Sequence, residues 1–226
     1  MSEIKSPLFQ RTVNCPSCKG IYKTTAVLSS KIRKIKTYSD FYVEYKGANP
    51  NYYLVHVCPV CGYAYFKKSK QLSAEHKRII KEKITKNFNS RDFTGARDAN
   101  AAIDAYKLAL LCGQLVGEED NIIAAILMQI VWLYRELGDY ENELRFMQLT
   151  YNTYKNIYDN ATFEVNVPRV LYILGELCRQ LKDYKGALKW YSRIIEDKKI
   201  RDPSIIKMAR EQFAEVRHLQ KIPASR

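Results

Sequence analysis

Six cysteines occur in the 226 residues, and four of them stand in two pairs, Cys15-Pro16-Ser17-Cys18 and Cys58-Pro59-Val60-Cys61. Two thiolates separated by two residues reach one ion from a tight turn, and two such turns complete a tetrahedral four-sulfur shell for zinc. Proline after the first cysteine of each pair sets the bend, and Gly20 and Gly62 are expected to supply the φ freedom that turns backbone amides toward the sulfurs. The expected cofactor is one structural Zn2+ per chain, held by Cys15, Cys18, Cys58 and Cys61. A shell of four sulfurs leaves no position for an activated water, so such a metal holds a fold together and performs no reaction.

Other uses of these residues are weaker. Disulfides belong to oxidising compartments, and the first ten residues, with Glu3, Lys5 and Pro7 and no apolar run behind them, carry no readable secretory signal. A thioredoxin-type redox pair wants one Cys-x-x-Cys between a strand and a helix, whereas here there are two pairs in turn contexts. His56 precedes Cys58 by two residues and would share its strand face, but four sulfurs already fill the shell. Cys112 and Cys178 stand in helical patterns among apolar neighbours and are expected as small buried hydrophobes, His76 and His218 as ordinary helix residues. Oxidation of the thiolates with release of zinc would make a redox switch, but no residue favours it over a static site. The phosphate-loop, dinucleotide, nucleophile-elbow and zinc-protease motifs are all missing. No catalytic residue is assigned, and the chain is expected not to be an enzyme.

Something folded must fill the 39 residues between Cys18 and Cys58, since the common double knuckle uses about 15–20. Tyr22–Leu28, Lys31–Tyr38 and Tyr52–Val57 are short runs rich in β-branched and aromatic residues that suit strands, with a turn over residues 47–51. From Ser73 onward apolar residues recur at spacings of three and four, the period of helices. Seven helices are expected: from the N-cap Ser73 to Phe88, then 96–116, 121–137, from Asp139 to Asp159, from Pro168 to Leu181, 184–197, and from Pro203 to Leu219. The fold class is therefore α+β, mostly α. A small zinc-ribbon-like β module occupies residues 1–72, and an antiparallel helical-repeat solenoid occupies 73–226.

The formal charge of +13 is unevenly divided. Residues 1–90 hold 17 Lys and Arg against 5 Asp and Glu, and residues 91–226 hold 20 against 19. A basic first part would draw an anionic partner in a salt-sensitive, sequence-blind way. Lys31, Arg33, Lys34 and Lys36, followed by Tyr38, Phe41, Tyr42 and Tyr45, put cations beside rings, as phosphate contact and base stacking require; Lys67, Lys68 and Lys70 follow the second cysteine pair. These seven basic residues are the candidate nucleic-acid contacts. The competing reading packs the tyrosines around the metal unit and leaves the cations as its solvated edge.

Leu137-Gly138-Asp139-Tyr140 aligns with Leu181-Lys182-Asp183-Tyr184 at a period of 44 residues, and Arg91-Asp92-Phe93-Thr94-Gly95-Ala96 is a fainter echo. The segment Leu171–Lys199, with Leu171, Leu174-Gly175, Cys178, Leu181, Asp183-Tyr184, Ala187, Tyr191 and Ile194, resembles the tetratricopeptide repeat, with Gly175 and Ala187 where two helices touch. In the preceding unit Val131 and Glu143 stand where that repeat has glycine and alanine, and the period is 44 rather than 34, which implies an irregular array. The resemblance implies a scaffold that binds a protein or peptide partner, a second copy of the chain included.

Asp40-Phe41, Tyr45-Lys46-Gly47, Asn49-Pro50, Tyr53, Cys58-Pro59-Val60-Cys61-Gly62-Tyr63-Ala64, Ala105-Tyr106-Lys107-Leu108-Ala109-Leu110, Trp132-Leu133-Tyr134-Arg135-Glu136 and Met208-Ala209-Arg210 together resemble the bacterial family catalogued as domain of unknown function 2225. The likeness spans nearly the whole chain and implies a bacterial cytoplasmic protein, without implying an activity. No stretch approaches the roughly 18 apolar residues of a membrane span, so no membrane is expected among the partners.

Overall fold

The computed structural model describes residues 6–89, 91–160 and 166–221, so Glu3 and Lys5 lie outside the described residues. Six strands come first: β1 (Leu8–Asn14), β2 (Ile21–Val27), β3 (Arg33–Thr37), β4 (Val43–Lys46), β5 (Val55–Val57) and β6 (Ala64–Phe66). Seven helices follow among the described residues: α1 (Ala74–Lys83), α2 (Ala99–Val116), α3 (Asp120–Leu137), α4 (Tyr140–Asp159), α5 (Val167–Gln180), α6 (Tyr184–Glu196) and α7 (Pro203–Lys221). The chain is mostly helical, with small antiparallel strand pairs at its start. No described helix is long and apolar enough to cross a membrane.

The strands form three separate two-stranded sheets, β1-β2, β3-β4 and β5-β6, and not the single sheet of a ribbon. Sequence showed three of these strands; β1, β4 and β6 are additional. Their burial is mixed, so their alternation is faint.

The chain divides into two compact units, one of Met1–Thr37 with Val43–Glu143, the other of Tyr38–Tyr42 with Leu144–Arg226. In the first unit α2 is the central support, packing on α1, α3, β5 and β6. Its buried face is unusually small, with Ala99, Ala102, Ala105, Ala109, Cys112 and Gly113, so the short strands approach closely, while Tyr106 fills the gap and donates to the Asn51 carbonyl at 2.5 Å. α3, which packs on α2, buries Ile126, Ile130 and Leu133. A Cβ at Gly113 would come within 2.9 Å of Ile123 Cδ1, so this glycine sets the spacing of the two helices.

Arg97 joins strands to helix in this unit. Its buried guanidinium donates to the carbonyls of Phe93 at 2.7 Å, Tyr52 at 3.1 Å and Val55 at 2.9 Å, and the Tyr53 hydroxyl accepts from its backbone N–H at 3.1 Å. The segment before α2 is therefore tied to strands. Thr25 of β2 likewise donates through its N–H and its hydroxyl to the Thr94 carbonyl, at 3.0 and 2.6 Å. The resemblance of Arg91–Ala96 to a helix-helix turn is thereby corrected: the segment is extended and bent and is held by β2.

The second unit is built on α5, α6 and α7, with α6 packed on both others. A Cβ at Gly175 would fall 2.3 Å from the Tyr191 ring, and Ala187 is fully buried. These are the two positions that sequence marked as the contact between helices. Residues 38–42, the tip between β3 and β4, also belong to this unit. Ser39 donates to Glu176 at 2.6 Å, and Phe41 lies against Tyr172 and under the Arg169 guanidinium. Glu176, 1% exposed, is compensated by Arg179 at 2.8 Å and by the Tyr191 hydroxyl at 2.6 Å, so its buried charge is fully paired.

Candidate metal centre

Each cysteine pair is the turn of a β-hairpin. Asn14 and Ile21 pair across the first turn, and Val57 and Ala64 across the second. The two turns repeat the same hydrogen bonds: Cys15 N–H to Gly20 at 2.9 Å and Cys58 N–H to Tyr63 at 3.0 Å, then Lys19 N–H to Cys15 at 3.0 Å and Gly62 N–H to Cys58 at 2.9 Å. The left-handed residue comes four places after the first cysteine in both, at Lys19 with φ 65° and Gly62 with φ 72°. Gly20 is therefore not the residue that supplies the left-handed bend. A Cβ there would stand 3.3 Å from Cys18 Sγ, so the position is small because a sulfur lies against it.

The two hairpins bring Cys15, Cys18, Cys58 and Cys61 together, with all four Sγ atoms within 4.8 Å of one another. Cys15 and Cys61 are 3.6 Å apart, Cys18 and Cys58 3.7 Å. A tetrahedron of zinc–sulfur bonds of about 2.3 Å has edges of about 3.8 Å, so both the donor set and its spacing fit zinc. Three of the sulfurs are buried and Cys18 is exposed.

Electrostatics point the same way. The Cys15 thiol is lowered to about 5 by the hydrogen bond with Cys61, while burial pushes Cys58 up to about 11, and the bond to Cys15 together with burial drives Cys61 far up. Four thiolates this close resist ionising together, and a dication in their midst would offset that repulsion. Cys15, Cys18, Cys58 and Cys61 would hold the ion, which would supply cross-linking of the two hairpins.

Neighbouring residues fix the second turn. Thr85 donates to the Cys61 carbonyl at 2.9 Å, and a Cβ at Gly62 would fall 2.5 Å from the Phe88 ring. This contact accounts for α1 stopping at Lys83 rather than Phe88: the chain leaves the helix to lay Phe88 on Gly62. Cys112, fully buried, accepts from the Ala64 N–H at 3.5 Å, and burial pushes its thiol up to about 11. Cys178 is buried too, its thiol pushed up to about 12 by burial. His56 is not part of the sulfur cluster. Its Nε2 accepts from Arg11, its ring stands edge-on to Tyr65, and burial with the Arg11 charge lowers its pKa to about 4. His76 is more than an ordinary helix residue: its Nδ1 accepts from the Ser73 N–H at 3.3 Å and completes the cap of α1.

The basic candidates part company. Lys31, Arg33, Lys34 and Lys36 are exposed on or beside β3, and Lys67 and Lys68 are exposed after β6. Lys70 is engaged, donating to the Gly117 carbonyl at 2.5 Å while its N–H meets Glu118 at 3.1 Å. The rings are engaged as well: Tyr38 lies against Tyr42 at 5.4 Å and Phe41 against Tyr172 at 5.5 Å. Tyr45, half-buried, stands opposite Lys34 in the register of the hairpin. Lys19, Thr85, Phe88 and Arg97 are the supporting residues that sequence did not reveal. Only a positive φ or a contact distant in sequence marks them, and neither has a local signature.

No curated protein and no solved structure matches the chain. The family model described as uncharacterized protein conserved in bacteria, domain of unknown function 2225, matches residues 8–216. It spans both knuckles and all but the end of α7, and the chain belongs to this family.

Proposed function

We propose that this protein is a non-enzymatic interaction protein, in which a closed four-cysteine zinc site fixes the knuckle hairpins and tetratricopeptide-like helix pairs receive a protein or peptide partner. The observation that carries this reading is one helix-turn-helix used twice at an offset of 44 residues. Gly138 at φ 70° and Lys182 at φ 63° end α3 and α5 in the left-handed conformation. Asp139 N–H then bonds the Tyr134 carbonyl at 3.0 Å, and Asp183 N–H the Cys178 carbonyl at 2.8 Å. Each aspartate next caps the following helix, Asp139 on Asn142 N–H at 3.1 Å and Asp183 on Gly186 N–H at 2.9 Å. Where the first copy departs from the repeat, Glu143 is compensated by Arg135 at 2.8 Å, so the larger side chain is accommodated.

The test is native affinity purification of the zinc-loaded chain with quantitative mass spectrometry, beside its mass in solution by light scattering. One protein retained at a fixed ratio, or a defined homo-oligomer, is the expected result. A monomer that retains nothing above background under native conditions contradicts the proposal.

A further inference from the structure

The β3-β4 hairpin carries exposed cations on its first strand. β3 pairs only with β4 among the described residues, and all five of its residues, Arg33 to Thr37, are exposed. Its outer edge therefore has no neighbouring strand among the described residues, along a basic segment. Ile35, 58% exposed, sits at a shift in register between Lys34 and Lys36 and has no opposite residue on β4. Register also places Arg33 directly opposite Lys46, and like charges so placed destabilise a ribbon that two strands hold only marginally. Lys31, Arg33, Lys34, Lys36 and Lys46 face one acid in the two strands, Glu44, which lies opposite Lys36.

The geometry points to the outer edge of β3 as a docking strand for an acidic, extended segment of a partner protein, which pairs with the backbone and neutralises the exposed Arg33 and Lys34. Charge complementarity selects the occupant, and the basic residues repel a second copy of β3 from the same edge. A single-stranded nucleic acid fits less well. It wants rings as a stacking platform, and Tyr38, Phe41 and Tyr42 are spent on packing. The inference rests on the proposed role as an interaction protein and names the place and chemistry of one contact.

The probe is a short fluorescent peptide alternating glutamate with valine, titrated against the full zinc-loaded chain at near-physiological salt. Beside it run the same peptide interrupted by proline, and single-stranded DNA and RNA. Saturable binding is expected for the unbroken peptide, and about tenfold weaker binding for the double variant R33E/K34E. Ile35→Pro, at a position without a cross-strand partner, should weaken binding while zinc content and circular dichroism stay unchanged. Equal binding of the proline-interrupted peptide, of the double variant, or preferential binding of nucleic acid each overturns the inference. A purified partner that the peptide fails to displace overturns the β3 site while leaving the interaction role standing.

Discussion

Two residues bear more of the fold than their types announce. Arg97 satisfies three buried carbonyls from two parts of the chain without a carboxylate touching it. Replacing it with methionine keeps the bulk and leaves those carbonyls without donors, so R97M should cost about 3 kcal/mol in denaturant unfolding. A loss under a few tenths would show that water replaces the guanidinium. Gly62 is constrained twice, by φ 72° and by the Phe88 ring where a Cβ would stand. Gly62→Ala should therefore cost about 2 kcal/mol and weaken metal retention, readable as faster zinc transfer to a chromophoric chelator. The role of Gly62 was legible because glycine after a cysteine pair has a physical meaning. The matching role of Lys19 was not, since lysine in the left-handed region is what local preference argues against.

At the scale of elements, helices were more legible than strands, for a reason visible in burial. α5 and α6 keep a continuous apolar stripe with Gly175 and Ala187 at the contact, whereas the strands that sequence missed, β1, β4 and β6, have mixed burial without a clean alternation. The turns gave a sharper signal than the helices themselves. Leu-x-Asp-Tyr marked both turns, and the structure adds that each aspartate caps the following helix and that Lys182 takes the conformation glycine takes at 138. Lys182→Gly should then stabilise the protein by about 1 kcal/mol, and Gly138→Ala should destabilise it by a similar amount. Melting temperatures moving the opposite way would mean that the two turns are not equivalent. The change of period near residue 73 marks a change of secondary structure, and the first compact unit continues past it through α3.

In the molecule as a whole, the four clustered cysteines all lie in the first compact unit, on hairpins whose sheets have two strands each, and β5 and β6 are three residues long. Strands so short are not stable alone, so the cross-link between the knuckles should carry much of their order. Removing zinc with a chelator should raise amide hydrogen exchange in residues 8–27 and 55–66 and leave α5 to α7 protected. Uniform exchange changes along the chain would instead make the metal a determinant of the entire fold. The clustering of the four cysteines was legible because paired Cys-x-x-Cys spacing is what a tetrahedral metal site asks for. The edge of β3 was not, since it depends on register, which sequence did not reveal.

The central claim is a closed, structural zinc site of four cysteines, and native mass spectrometry of the gently purified protein tests it most directly. The predicted result is a single species of one chain with one zinc, reduced to the metal-free chain in Cys18→Ser/Cys58→Ser. A metal-free chain that is fully folded, or zinc retained at full stoichiometry after both substitutions, would contradict it.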